Sequence, residues 1–163
     1  MKTLIVVRHA KSNWANIGER DFDRGLSERG KTDAPQMAKK LLDTDIKIDA
    51  FISSTAKRAR KTAKAFIEAF GKTKDDIILL DELYNAPAEK FYKIITGLKD
   101  EQQSIAIFAH NPGITDFVNS LCATRIDEMP TCGVFAVKIP VTDWQHFTEA
   151  KKEFLFFKYP KEI

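Results

Sequence analysis

The stretch "LIVVRHAKSNW", residues 4–14, decides how the rest of the chain is read. "TLIVVR", 3–8, is a continuous apolar, β-branched run, the pattern of a central strand covered on both faces. It stops on Arg8 and His9, two side chains that bury poorly. A buried strand that delivers a cation and an imidazole at its end has a reason to hold them there.

Working outward, helix and strand signals alternate. "SERGKTDAPQMAKKLL", 27–42, opens with Ser27 as an N-cap and carries Met37, Leu41 and Leu42 on a helical stripe. Pro35 either starts that helix or kinks it. "DAFISS", 49–54, is a short strand. "AKRARKTAKAFIEAF", 56–70, is the cleanest helix, with Ala59, Ala63, Phe66 and Phe70 on one face and Gly71 as its stop. "DIILLDEL", 76–83, reads as a third strand, and "PAEKFYKIITGL", 87–98, as a helix. "QSIAIFAH", 103–110, is a fourth apolar strand, again ending in histidine, and "PGITDFVNSLC", 112–122, starts the next helix. "CGVFAVKIP", 132–140, and "EFLFFKY", 153–159, read as two late strands able to form a hairpin at one edge. Alternation of this kind predicts an α/β fold with a mostly parallel sheet. No composition shift marks a boundary, so one domain is expected over 1–163.

Composition narrows the function. The chain is 44% hydrophobic and 30% charged, ordinary for a globular protein. A formal net charge of +3, with no basic tail, gives no ground for nucleic acid binding. No apolar run reaches the ~18 residues of a membrane span, and no signal peptide is evident. Cys122 and Cys132 form no CxxC pair and read as packed thiols, which fits a cytoplasmic location. No HxxxH or cysteine cluster suggests a metal.

In a doubly wound sheet, ligands collect beyond the carboxyl ends of the strands. Arg8 and His9, then "SSTAKR", then Asp81 and Glu82, then His110 and Asn111 all fall at such ends. Two histidines and two arginines can therefore share one cleft. Arginine forks match phosphate oxygens, and a neutral imidazole beside them can attack phosphorus. Arg58 belongs with this group because it lies in the first turn after "SST". Lys57, Arg60, Lys61 and Lys64 read as the solvated face of the same helix, and His146 as structural or exposed.

These residues carry a resemblance. "VVRHAKSNW" resembles the RHG-type signature of the histidine phosphatase superfamily, in the RHAKS form of its small SixA-like phosphohistidine phosphatase branch. "DFDRGLSERG", 21–30, "SSTAKRARKTA", 53–63, and "FAHNPGI", 108–114, resemble the further motifs in the expected order, with Ala109 in place of a glycine. Ala10 stands where most of the superfamily has glycine, as is common in the small branch. The resemblance implies a phosphoglycerate mutase-like three-layer α/β/α domain and no metal or organic cofactor. It implies that His9 is the nucleophile and that Arg8, Arg58 and His110 bind phosphate. His110 would add positive charge if protonated. Larger members carry a general-acid glutamate in an extended loop. Here the matching stretch is "LLDELYNAPAE", 79–89, where Glu82 is the nearest acid and Asp81 the next.

The short chain leaves little sequence for a lid, which suits a phosphorylated protein side chain. A phosphohistidine phosphatase is therefore the expected activity. A small-metabolite phosphomonoesterase using the same pocket and a non-catalytic phosphoprotein-binding module are the alternatives. The expected partner is a phosphorylated protein or a small phosphate ester, and a monomer is the expected state.

Overall fold

A computed structural model describes residues 1–14 and 16–160. Ala15 and residues 161–163 of the expected 1–163 domain lie outside them. Ten main elements run in the order β1 Lys2–Arg8, α1 Glu28–Leu42, β2 Ala50–Ser54, α2 Lys57–Ala69, β3 Ile77–Leu80, α3 Ala88–Thr96, β4 Ser104–Ala109, α4 Gly113–Leu121, β5 Val134–Ile139 and β6 Glu153–Lys158. They form a three-layer α/β/α domain with one six-stranded sheet, ordered β3-β2-β4-β1-β5-β6. β3, β2, β4 and β1 are parallel, while β5 runs antiparallel to β1 and to β6.

The period of two along β1 builds both faces of the core. Leu4 and Val6 join Phe91, Ile95, Ile114 and Phe117 of α3 and α4 on one side. Ile5 and Val7 join Met37, Leu41, Phe66 and Ile67 of α1 and α2 on the other. All four strand residues are fully buried. Each such burial stabilises the fold by about 1.5–3 kcal/mol, which is why the run has no polar interruption.

β1 sits at the sheet centre, and its register with β4 pairs Arg8 with Ala109. β2 pairs with β4 up to Ser53 and Phe108. The carboxyl ends of β1, β2 and β4 therefore finish at one level and release His9, Ser54 and His110 side by side.

The loop after β1 is fixed by α1. Ser27 caps Gly30 N at 3.1 Å, as its type predicts, and Ser27 N donates to Lys11 O at 2.9 Å. A Cβ on Gly30 would stand 2.1 Å from Lys11 O. Glycine is required there for the helix to close on the loop that carries His9.

Three details differ from the pattern-based expectation or complete it. α1 continues through Pro35, which is exposed and leaves one carbonyl of the preceding turn without its helical partner. β3 is shorter than 76–83: it ends at Leu80, where its only neighbour β2 ends at Ser54, and Asp81–Leu83 turns as a 3-10 helix. β5 is internal, between β1 and β6, so only β6 forms that edge. Among the described residues, no helix is long and apolar enough to cross a membrane.

Candidate active site

His9 leaves β1 with 6% of its surface exposed. Its own backbone N–H donates to Ala109 O at 3.2 Å, and the Ala10 N–H donates to Thr62 Oγ1 at 2.9 Å. Thr62 in turn donates to Arg58 O at 2.8 Å, which ties α2 to the turn around His9. Nδ1 of His9 lies 2.8 Å from Ala10 O. A carbonyl oxygen can only accept, so Nδ1 carries the proton and Nε2 keeps its lone pair. Burial lowers the imidazole pKa to about 3, with His110, Arg8 and Arg58 pushing the same way against the Ala10 hydrogen bond. His9 is a neutral, oriented imidazole with an available nitrogen.

His110 ends β4 opposite it. The ring centroids are 5.1 Å apart and tilted by 51°. His110 Nε2 lies 2.8 Å from Ser54 Oγ, which itself accepts from Ala56 N at 3.2 Å. Ser54 is fully buried, and among the described residues His110 Nε2 is the acceptor within reach of its hydroxyl proton. Ser54 therefore donates to Nε2, and Nδ1 of His110 carries the ring proton. Among the described residues, that nitrogen is buried with no hydrogen-bond partner. Burial, then the Arg58 charge, lower the His110 pKa to about 3. The positive charge expected of a protonated His110 is absent from the free site. The ring is a neutral donor instead.

The two arginines are anchored on one side and free on the other. Arg8 donates from Nη1 to Met129 O at 2.8 Å, with the Glu128 carboxylate 3.9 Å away. Asn111 Nδ2 donates to the same Met129 carbonyl at 3.1 Å, so this asparagine braces the segment that holds Arg8. Arg58, 5% exposed, donates from Nη1 to Asp21 O at 2.7 Å and from Nη2 to Asp21 Oδ2 at 2.9 Å. Among the described residues, the Nε–H groups of both arginines are buried without a partner. Buried unsatisfied donors are uncommon in native structures, and here three of them, with His110 Nδ1, belong to one cleft. Such a set suits a tetrahedral oxyanion.

Asp21, Tyr84 and Ser54 are site residues to which sequence reading gave no role. Asp21 lies in a 3-10 turn, Asp21–Asp23, and accepts from Arg58, from Arg24 Nε at 3.0 Å and from Tyr84 Oη at 2.6 Å. The Tyr84 hydrogen bond, then Arg58, hold its carboxyl down at about 2. Tyr84 also stands edge-on to His110, with centroids 5.6 Å apart. Asp21 and Ser54 fall inside quoted motif segments, which was the available signal. Tyr84 had none.

Arg8, His9, Arg58 and His110 are thus brought together. Glu82 is not: it is exposed on the 3-10 turn after β3, and no hydrogen bond or ion pair joins it to those four. Asp81 accepts from Thr55 Oγ1 at 2.6 Å. Among the described residues, no three His, Cys, Asp or Glu side chains gather as metal ligands. Cys132 is buried, Cys122 is partly buried, and His146 is exposed beside Asp143, as their contexts predict.

A parallel-sheet cleft with a neutral imidazole between two anchored guanidinium groups defines a class of protein that handles phosphoryl groups. Residues 4–91 match the histidine phosphatase superfamily (branch 1), a span that holds Arg8, His9 and Arg58. The chain belongs to that superfamily. It is similar to the crystal structure of a candidate phosphohistidine phosphatase, SixA, from Agrobacterium tumefaciens, with 32% identity, 98% of each chain covered and a TM-score of 0.82. A protein histidine phosphatase SixA solved with tungstate shares the fold at 19% identity, TM-score 0.81 and 98% coverage of each chain. A 2,3-bisphosphoglycerate-dependent phosphoglycerate mutase of Bartonella henselae is 37% identical over 105 residues, 61% of this chain and 48% of its own length. The chain spans about half the length of the mutases it matches.

Proposed function

We propose that the protein is a phosphohistidine phosphatase that works through a phosphorylated His9. The observation that carries this reading is the state of His9: Nδ1–H is committed to Ala10 O, the ring is neutral, and Nε2 is left to attack. In the first step, the Nε2 lone pair forms a bond to phosphorus as the substrate's P–N bond breaks. The substrate imidazole, already protonated on its other nitrogen, takes the electron pair of that bond and leaves as a neutral ring. Arg8, Arg58 and the Nδ1–H of His110 hold the phosphoryl oxygens as their charge redistributes. In the second step, water attacks phosphorus, the His9–P bond breaks, and inorganic phosphate leaves. The positive charge comes from the arginines, so the reading includes no metal and no cofactor.

A protein-borne phosphohistidine is favoured by the directness of the connection between β3 and α3. Residues 81–87 hold one 3-10 turn and no added helix over the cleft. The 32% identity to the SixA structure over 98% of the chain supports the same substrate class. A cytoplasmic monomer is part of this proposal, as is a single domain across the chain.

The second reading, a phosphomonoesterase for a small metabolite, is favoured by the 37% identity to a mutase whose name cites bisphosphoglycerate. A binding module without catalysis is disfavoured, since a binder has no use for a neutral, oriented nucleophile.

The test is His9→Ala, with rapid quench of the wild type on radiolabelled substrate. Label is expected on His9, turnover should vanish in the variant, and chelation should leave the wild-type rate intact. Label on another residue would refute the mechanism. Turnover of one small ester, with none of a phosphohistidine protein, would select the second reading.

A further inference from the structure

Beside the catalytic cleft lies a second concavity that the chemistry above does not use. It is a groove of about 1090 Å³ between α1, α2 and the segment after β1. Its apolar lining is Leu26, Ala34, Pro35, Ala65 and Ala69, with the exposed Trp14 beside them. One wall carries Lys57, Lys61 and Lys64, and the other carries Lys31. Among the described residues, none of the three α2 lysines has a carboxylate within ion-pairing distance.

The placing of these lysines works against the helix that bears them. Lys57, Lys61 and Lys64 are three or four residues apart, so they repel one another along one face. Lys57 opens the first turn of α2, where the helix dipole favours acids. The first turn of α2 holds no acid and its last turn no base. Arg58 in that turn is needed for the phosphate cleft, but the lysines are not. A pattern that opposes local stability is expected where something else is gained.

Residues that line the groove are linked to the candidate active site. Lys57 precedes Arg58, and its Cε would lie 3.5 Å from a Cβ on Gly25. Gly25 and Asn13 line the groove, while Arg24, between Gly25 and Asp21, donates to Asn13 O at 2.9 Å and pairs with Asp21.

We infer that this groove is the docking surface for an acidic, amphipathic segment of the phosphorylated protein substrate. The inference rests on the phosphatase reading and names how the substrate is chosen. Apolar lining residues accept side chains, and lysine walls accept carboxylates. A nucleic acid fits less well, because Glu19 and Glu68 also line the groove and would repel a continuous polyanion. The lysines that read as a merely solvated helix face in the sequence are given a partner by this groove.

The test uses an unphosphorylated, dye-labelled peptide with glutamates and leucines at helical spacing, and a control with glutamine for each glutamate. Binding is followed by anisotropy at two salt concentrations. The acidic peptide should bind, more weakly at higher salt, and the glutamine peptide should not. Lys61→Glu/Lys64→Glu, at positions outside the phosphate cleft, should weaken binding by about tenfold or more, while Lys61→Arg/Lys64→Arg retains it. Turnover of free phosphohistidine should be unchanged in both variants. Unchanged affinity in the charge-reversed variant would overturn the proposal, as would equal binding of the glutamine peptide. Tighter binding of a single-stranded oligonucleotide of equal charge would overturn it as well. Peptide binding in the groove without turnover of any phosphohistidine would instead refute the phosphatase reading and leave an acidic-partner surface standing.

Discussion

Ser54 Oγ donates its proton to His110 Nε2 across 2.8 Å, and this fixes which nitrogen of His110 faces outward as a donor. A hydroxyl on β2 thereby sets the tautomer of an imidazole on β4. Ser54→Ala should leave the sheet intact, because the side chain loses one atom. It should lower kcat by about tenfold, the cost of one charge-assisted bond to the phosphoryl group. The nitrogen-15 shifts of the His110 ring are the direct check: a wild-type tautomer in the variant would show that Ser54 does not set it.

Arg58 is held by both the carbonyl and the carboxylate of Asp21. Arg58→Lys keeps a charge but loses the fork, so phosphate inhibition should weaken and turnover fall. Asp21→Asn should weaken phosphate affinity less, since Asp21 O still accepts from Nη1. Phosphate inhibition constants for both variants decide this. Equal affinity in Arg58→Lys and wild type would place Arg58 outside the phosphate contacts.

Histidine titration should separate the three rings. His9 and His110 are held near 3 by burial, whereas exposed His146 is raised above 6.5 by its hydrogen bond to the Asp143 carboxylate. Between pH 8 and 5, only the His146 ring proton signals should move. The folded pKa values of His9 and His110 are depressed, so their stabilising contribution is complete above 6.5. It is lost as pH falls from there towards 3, because the unfolded chain then takes up protons that the fold refuses. The urea midpoint should decline through that window, and His110→Ala should flatten the decline. A midpoint constant down to pH 4 would contradict the assignment.

Glu82 bears on the leaving group. A protonated imidazole departs easily, while an alkoxide needs an acid. If the exposed Glu82 carboxyl serves as that acid, Glu82→Gln should slow alkyl phosphate hydrolysis by about 10²-fold and phosphohistidine hydrolysis far less. Equal kcat/KM losses on both substrates would remove Glu82 from the mechanism.

Gly113 tests how α4 positions His110. A Cβ there would stand 1.7 Å from Ala86 O, a backbone atom that cannot step aside alone. The first turn of α4 is tied to the site, because Ile114 N donates to His110 O at 2.9 Å. Gly113→Ala should cost about 3 kcal/mol of stability and reduce turnover with it. A wild-type melting temperature would show that the loop at Ala86 yields freely.

The legible part of the site was the part delivered by strand ends. Runs of β-branched residues that stop on Arg8, Ser54 and Ala109 announce both the layer order and the level at which side chains emerge. What stayed hidden depends on contacts between elements far apart in sequence. Asp21 meets Arg58 and Tyr84 only after two 3-10 turns are folded over the strand ends. Tyr84, in a polar connection, carries no periodic signal at all. The extent of β3 was overread because an edge strand lasts only as long as its single neighbour. Pro35 looked like a helix boundary, yet the helix continues through it and leaves only one carbonyl without its helical partner. Whether His110 carries a charge is not legible in the sequence for a related reason: burial is a property of the assembled cleft.

The three unpartnered donors, on Arg8, Arg58 and His110, are present before any anion arrives. A site built this way does not distinguish the arriving phosphoryl group from the phosphate that is left behind. Oxyanions should therefore follow the protein through purification and raise its melting temperature. Inorganic phosphate should then compete with the substrate, so that the phosphate level around the protein acts as a brake on its own rate.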